Sequence, residues 1–275
     1  MSRLTPETGF VVAMDVLGTR EAPDPEDFLR RWGKLSRASK KLSADLNRGG
    51  IYGAFLGSLF AGELSQQGRD VLVAQPEKGA IQSVPLTVAR TLVLGDTLVM
   101  AFKEMEGASG MQTLGTLLYG LFVKALRLRL FIRGAIGWGT FYQQEDTIVG
   151  PAVTDAFDLH DAVDWIGVVL TQTSGLRYER DNPNVTSPRW RGGFVRYPVP
   201  LKDGRKVPLY ALDWPYLPDS PHRVDLADWF TANPIPLKAE SKYRNTLEFF
   251  DTIRARGKYE SGLNEKPAIG RRSRE

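Results

Sequence analysis

Two apolar, β-forming runs meet end to end in "VPLTVARTLVLGDTLVMAF", with Leu94-Gly95-Asp96 between them. A turn that short leaves the runs one arrangement, an antiparallel hairpin. Whatever else the chain forms must be built around that pair. Upstream, "GFVVAMDV" is apolar without alternation, as expected for a strand buried on both faces. Between them lies "DPEDFLRRWGKLSRASKKLSADL", an amphipathic helix with Asp24 as N-cap and Pro25 at the first helical position. Its stripe of Phe28, Trp32, Leu35, Leu42 and Leu46 faces a core. Arg30, Arg31, Lys34, Arg37, Lys40 and Lys41 read as a solvated face rather than a nucleic-acid groove.

Downstream, "MQTLGTLLYGLFVKALRL" is a long apolar helix. "RLFIRGAIGWGTFYQQEDTIVG" is a strand, a bend near Gly137 to Gly139, and a further extended piece. "GPAVTDAFDLHDAVD" is helical and "WIGVVLT" is one more buried strand. The glycine-spaced "GGIYGAFLGSLFAGEL" reads as a short helix or a closely packed loop. The order through Thr171 alternates strands and helices with a central hairpin, so the fold class is α+β with a ferredoxin-like core. Residues 1–171 are expected to form one domain. Residues 172–258 are a proline- and glycine-rich extension with a hairpin at Asp203-Gly204 and a helix, packed on the core. Residues 259–275 read as a disordered tail. Trp190, Tyr197, Tyr210 and Trp214 are packing aromatics of the extension.

The chain has no cysteine and two histidines, His160 and His222, which excludes a thiolate or Cys/His zinc site. His160 reads as a helix-surface residue. Any metal must rest on carboxylates, and oxygen ligands favour Mg²⁺ or Mn²⁺. No apolar run reaches the ~20 residues of a membrane helix, and the cysteine usage suits the cytoplasm. The formal net charge of +4 suits a nucleotide or another polyanion without singling out nucleic acid; the Arg271, Arg272 and Arg274 tail is a weak basis for nucleic-acid binding, and no specific one is expected. Asp15 ends the first strand and Asp96 sits in the hairpin turn. In a ferredoxin-like sheet these tips converge, and two neighbouring carboxylates repel unless a cation joins them. The loop after Asp15 then offers backbone N–H groups to phosphate.

These segments resemble class III nucleotidyl cyclases: "AMDVLGT" the first metal-binding segment, "LVLGDTLVMAF" the hairpin, "FIRGAIGWG" the strand after the second helix, and "GPAVTDAFDL" the following helix start. The match covers roughly residues 8 to 171 in order. It is most similar to the Pycsar cyclases, antiphage enzymes that make cyclic CMP or cyclic UMP. The resemblance implies that Asp15, Asp96 and the Val16 carbonyl ligate two Mn²⁺ or Mg²⁺ ions. Leu17, Gly18 and Thr19 would hold the triphosphate through their N–H groups. It also implies a homodimer with composite active sites, for which the apolar helix Leu114 to Leu126 and "GAFLGSLF" are candidate faces.

Purine cyclases place a base-reading pair where this chain has Leu92 and Thr147, and transition-state groups where it has Thr154 and Asp158. Either the domain is inactive, or it uses another base and another cation; intact metal carboxylates favour the latter. Arg133 is the candidate catalytic cation and Arg90 a candidate substrate contact. The alternative for each is a structural ion pair, with Asp155 or Asp158 as partners. Tyr52 is a candidate base contact or a packing aromatic. The expected reaction is cyclisation of UTP or CTP. The alternatives are an adenylate or guanylate cyclase with unusual base contacts, or a nucleotide sensor without turnover. Removing Asp15 or Asp96, read as repelling and solvent-facing charges, is expected to leave stability level or higher.

Overall fold

The computed structural model describes residues 5–17, 24–47, 86–104, 110–182, 193–216, 223–232 and 239–263. Among them are eight strands and six α-helices in an α+β arrangement. β1 (Glu7–Val16) is followed by α1 (Pro25–Asn47), then β2 (Leu86–Leu94) and β3 (Thr97–Glu104). Next come α2 (Met111–Arg127), β4 (Ile132–Gln144), β5 (Thr147–Val149), α3 (Pro151–Ala162) and β6 (Gly167–Leu170). The last part holds α4 (Gln172–Asp181), β7 (Phe194–Pro200), β8 (Lys206–Leu212), α5 (Arg223–Ala232) and α6 (Glu240–Leu263). The strands lie in the order β2-β3-β1-β4-β6-β8-β7, with β5 paired to β4. Every pairing is antiparallel except β4 with β6.

The local signals explain the elements. Gly95 turns the β2–β3 hairpin at φ 62°, a conformation that favours glycine. The Asp24 side chain accepts the Asp27 N–H at 2.9 Å and caps α1. β1 is buried almost throughout, as its unbroken apolar run requires. Its Phe10, Val12, Met14 and Val16 join the large core, which includes Trp32, Leu35 and Leu42 of α1 and most of α2. Its Val11 and Ala13 face the other side, in a small cluster with Val99, Ala101, Phe141, Ala152 and Ala156.

Four expectations need adjustment. β4 runs unbroken through the glycines expected to bend it. α2 is not a spare apolar face: Leu114, Leu117, Leu118, Leu121, Phe122 and Leu126 are all buried within the chain. The extension does not merely pack on the core, because β8 pairs with β6 and continues the same sheet. Its Tyr197 and Trp214 are buried there and Tyr210 is half-buried. α6 reaches Leu263, inside the stretch expected to be disordered. The segments "GGIYGAFLGSLFAGEL" and 264–275, with Trp190, lie outside the described residues.

Candidate functional site

Asp15 falls in the row of β1 that faces α3, directly after Val11 and Ala13. α3 can lie close to that face because Gly137 of β4 has no side chain. A Cβ there would stand 2.1 Å from the Ala152 carbonyl oxygen. α3 turns Ala152, Ala156 and His160 toward the sheet, and all three are buried. The helical spacing of these residues thus carries His160 to the end of the sheet where Asp15 lies.

Asp15 is opposite Arg133 in the β1–β4 register. The Arg133 fork grips its carboxylate: Nε donates to Oδ1 at 2.9 Å and a terminal nitrogen donates to Oδ2 at 2.9 Å. His160 Nε2 lies 3.4 Å from Oδ2. The same guanidinium nitrogen reaches the Asp161 carboxylate at 3.4 Å. Side-chain exposure is 10% for Arg133 and 16% for Asp15, so the pair is largely removed from water. Burial pushes the Asp15 carboxyl up, but the nearby His160 imidazole and the hydrogen bonds and charge of Arg133 hold it below the usual carboxylate range. Arg133 is disfavoured by burial and more than compensated by Asp15.

This geometry corrects several expectations. Asp15 is not a repelling, solvent-facing charge. Arg133 pairs with Asp15 and Asp161, not with Asp155 or Asp158; Asp155 instead accepts from Thr173 at 3.0 Å. His160 is buried and not on the helix surface. Sequence reasoning missed it, although its spacing from Ala152 and Ala156 marked the inward face of α3.

The extension borders this site. The Lys202 N–H donates to the Ala162 carbonyl at 2.9 Å, and the Asp164 N–H donates to the Pro200 carbonyl at 2.9 Å. Lys242 of α6 pairs with Asp164 at 2.8 Å, and Asn245 donates to the Asp164 carbonyl at 2.7 Å. The end of α3 that carries His160 and Asp161 is therefore held from both sides.

Asp96 is next to the same strand tip. Asp15 is opposite Thr97, and the Val16 N–H donates to the Asp96 carbonyl at 3.2 Å. The indole of Trp32 donates to the Gly95 carbonyl at 3.0 Å and holds the turn. Among the described residues, no three His, Cys, Asp or Glu side chains gather as a metal site. The Asp15 carboxylate and the adjoining Asp96 turn are the residues that would hold Mg²⁺ or Mn²⁺. Such ions keep several waters and are commonly held by one or two carboxylates plus substrate phosphates. A carboxylate offers about four lone-pair sites, so Asp15 can serve an ion and Arg133 together.

The other candidates do not converge as expected. The Leu17 N–H donates to the Phe131 carbonyl at 2.8 Å, so it is committed to the sheet and not open to phosphate. Gly18, Thr19 and Tyr52 lie outside the described residues. Arg90 pairs with Asp146 at 2.5 Å. It shares its cross-strand row with Ala101 and Val11, four residues from Asp15 along β1. That is about 14 Å along the strand, so Arg90 does not reach Asp15. Leu92 is in the row of Val99 and Ala13, one pleat repeat from Asp15. With Ala89, Ile148, Val153 and Phe157 it forms a half-buried apolar margin to the small cluster. Thr147 is exposed beside Ile148. No family model matches the chain, and no curated protein matches it significantly.

Proposed function

We propose that the chain is a nucleotidyl cyclase of the class III type, acting on a pyrimidine nucleoside triphosphate. The observation that carries this reading is Asp15: an ionised, largely buried carboxylate at the tip of the first strand, beside the Asp96 turn and gripped by Arg133. The β1-α1-β2-β3-α2-β4 succession with sheet order β2-β3-β1-β4 is the ferredoxin-like arrangement, which supports it.

In the reaction the ribose 3′ oxygen bonds to the α-phosphorus, and the bond from that phosphorus to the pyrophosphate oxygen breaks. The hydroxyl proton passes to water. Divalent ions on Asp15, Asp96 and the Val16 carbonyl would lower the pKa of the hydroxyl and neutralise the leaving group. Asp15 stays ionised across neutral pH because Arg133 and His160 hold it so. Arg133 offers a fixed guanidinium to the phosphate chain, the task left open by Thr154 and Asp158. Asp161 and His160 orient Arg133 and Asp15. The Leu92, Ile148 and Phe157 margin suits the flat face of a base. Leu92 offers no partner to a purine edge, which costs ~1–3 kcal/mol per unmade bond.

The same reading includes a homodimer with shared sites and a role as an antiviral second-messenger synthase. Leu94, 55% exposed in the Asp15 row, and Val149, 52% exposed on β5, are the apolar surface for such a contact in place of α2. The occupation of Asp15 by Arg133 favours one alternative, a sensor that binds nucleotide without turnover. Incubation with ATP, GTP, CTP and UTP at equal concentration and Mn²⁺ separates the readings. Cyclic UMP or cyclic CMP is expected. Dominant cyclic AMP or cyclic GMP refutes the base assignment, and tight binding without product supports the sensor. None of the described helices is long and apolar enough to cross a membrane.

A further inference from the structure

α1 carries a second charged feature, across the sheet from Asp15. Arg30, Lys34, Arg37 and Lys41 are spaced so that all four fall within about 60° of one another around the helix. All four are exposed, while Trp32, Leu35, Ser39 and Leu42 are buried on the opposite side. The row is about 16 Å long, at 1.5 Å per residue. Of the four, Arg30 alone forms an ion pair among the described residues, with Asp27.

The N-terminal end of this row opens on a cleft of about 440 Å³ between α1 and the turn from α2 to β4. Arg30, Arg31, Lys34, Arg127 and Arg129 border it together with Asp24 and Asp27, so cations predominate in its lining. Both carboxylates are already engaged. Asp24 caps α1, and Asp27 pairs with Arg30 and Arg31. Arg31 also donates to the Leu128 and Arg129 carbonyls at 3.2 Å each, which fixes the two walls to each other.

Arg129 supplies an independent sign. It closes α2 in the left-handed conformation, φ 54°, with the Leu130 N–H donating to the Ala125 carbonyl and its own N–H to that of Leu126. Glycine is the usual residue at this place in a helix end. Here an arginine takes it, with an exposed side chain. A strained backbone at a charged cleft points to a use for the side chain.

We infer that this cleft and the row leading from it bind a linear phosphate chain, the sugar-phosphate backbone of single-stranded nucleic acid. The row is long enough to face more than one successive phosphate of an extended single strand. It holds no aromatic side chain on which a base could stack, so the contact is with phosphates and independent of sequence. Inorganic polyphosphate presents the same chemistry and competes for the site. This inference does not depend on the cyclase reading, since binding is measured without nucleoside triphosphate.

The test is fluorescence anisotropy of labelled oligouridylate and oligothymidylate on the full chain across a salt series. Each phosphate neutralised on a single strand contributes about −0.7 to the slope of log K against log salt. Lys34→Gln combined with Arg37→Gln should flatten that slope by about 1.4. The difference from the unsubstituted chain isolates the row from Arg271, Arg272 and Arg274. Arg129→Gly should weaken binding severalfold while raising the melting temperature, opposite signs that a merely structural arginine would not give. Polyphosphate should displace both oligonucleotides, which should bind alike. An unchanged slope in the double variant, full affinity in Arg129→Gly, or failure of polyphosphate to compete overturns the inference.

Discussion

Replacing Arg133 by methionine keeps most of the apolar stem and removes the guanidinium. Asp15 is then left largely out of water with His160 Nε2 at 3.4 Å as its remaining charged or polar side-chain contact in the Arg133 cluster. Breaking one partner out of a buried ion pair costs ~3–5 kcal/mol. With side-chain exposures of 10% and 16%, screening by water reduces this little, and the lower end, ~3 kcal/mol, is expected. At ~2–4 °C per kcal/mol for a chain of this size, the melting temperature falls by ~6–12 °C. The double variant Asp15→Asn with Arg133→Met should recover a large part of the loss, because no unpaired charge remains buried. The pH dependence has a definite sign. In the unsubstituted chain the Asp15 pKa is depressed, so its contribution is present above about pH 3.9 and is lost as pH falls through the folded value. In Arg133→Met burial is opposed by His160 alone and that pKa rises from its value in the unsubstituted chain, so protonation relieves the penalty as pH falls toward 4. Urea unfolding of the three chains between pH 7 and pH 4 provides the measurement. A deficit under ~0.5 kcal/mol at pH 7, or one that does not shrink on acidification, refutes the view that Arg133 neutralises a buried Asp15.

Asp15→Ala and Asp96→Ala should each abolish cyclisation, and retention of more than a few per cent of activity with Mn²⁺ contradicts the metal assignment. Asp15→Ala should also lower the melting temperature, because Arg133 loses its bidentate partner, against the level or rising stability expected from a solvent-facing charge. Gly137→Ala brings a methyl to 2.1 Å from the Ala152 carbonyl oxygen and should cost ~1–3 kcal/mol by lifting α3 from β4, read by urea unfolding. Light scattering should report a dimer, and Leu94→Lys should dissociate it without altering the circular dichroism of the protomer.

The parts of the fold legible in the sequence are those set by neighbours along the chain. β1 shows as an unbroken apolar run, the hairpin as two runs around Gly95, and α1 as a capped periodic stripe. α4 was missed because its inward residues, Ser174, Gly175 and Tyr178, form no apolar period. The one signal at its start was Thr171, whose hydroxyl accepts the Ser174 N–H at 3.4 Å. The site was legible as a pair of strand-tip carboxylates and not as an ion pair. Asp15 and Arg133 are 118 residues apart, and only the β1–β4 register brings them face to face. A shift of one residue would have turned the two side chains to opposite faces. The joining of β8 to β6 rests on pairing at Val169 and Ala211, a contact between distant runs that local pattern does not encode.

That joining governs how the chain can be made. β6, with Val168, Val169 and Leu170 wholly buried, has β4 on one side and β8 on the other. During synthesis the first five strands and β6 leave the ribosome before β8 exists. For that interval a short apolar strand stands at the rim of the growing sheet with its backbone groups unpaired, the kind of edge on which chains aggregate. At ~5–20 residues per second, the forty or so residues from β6 to β8 take seconds to emerge, so the nascent chain depends on shielding of that rim until its later strands arrive.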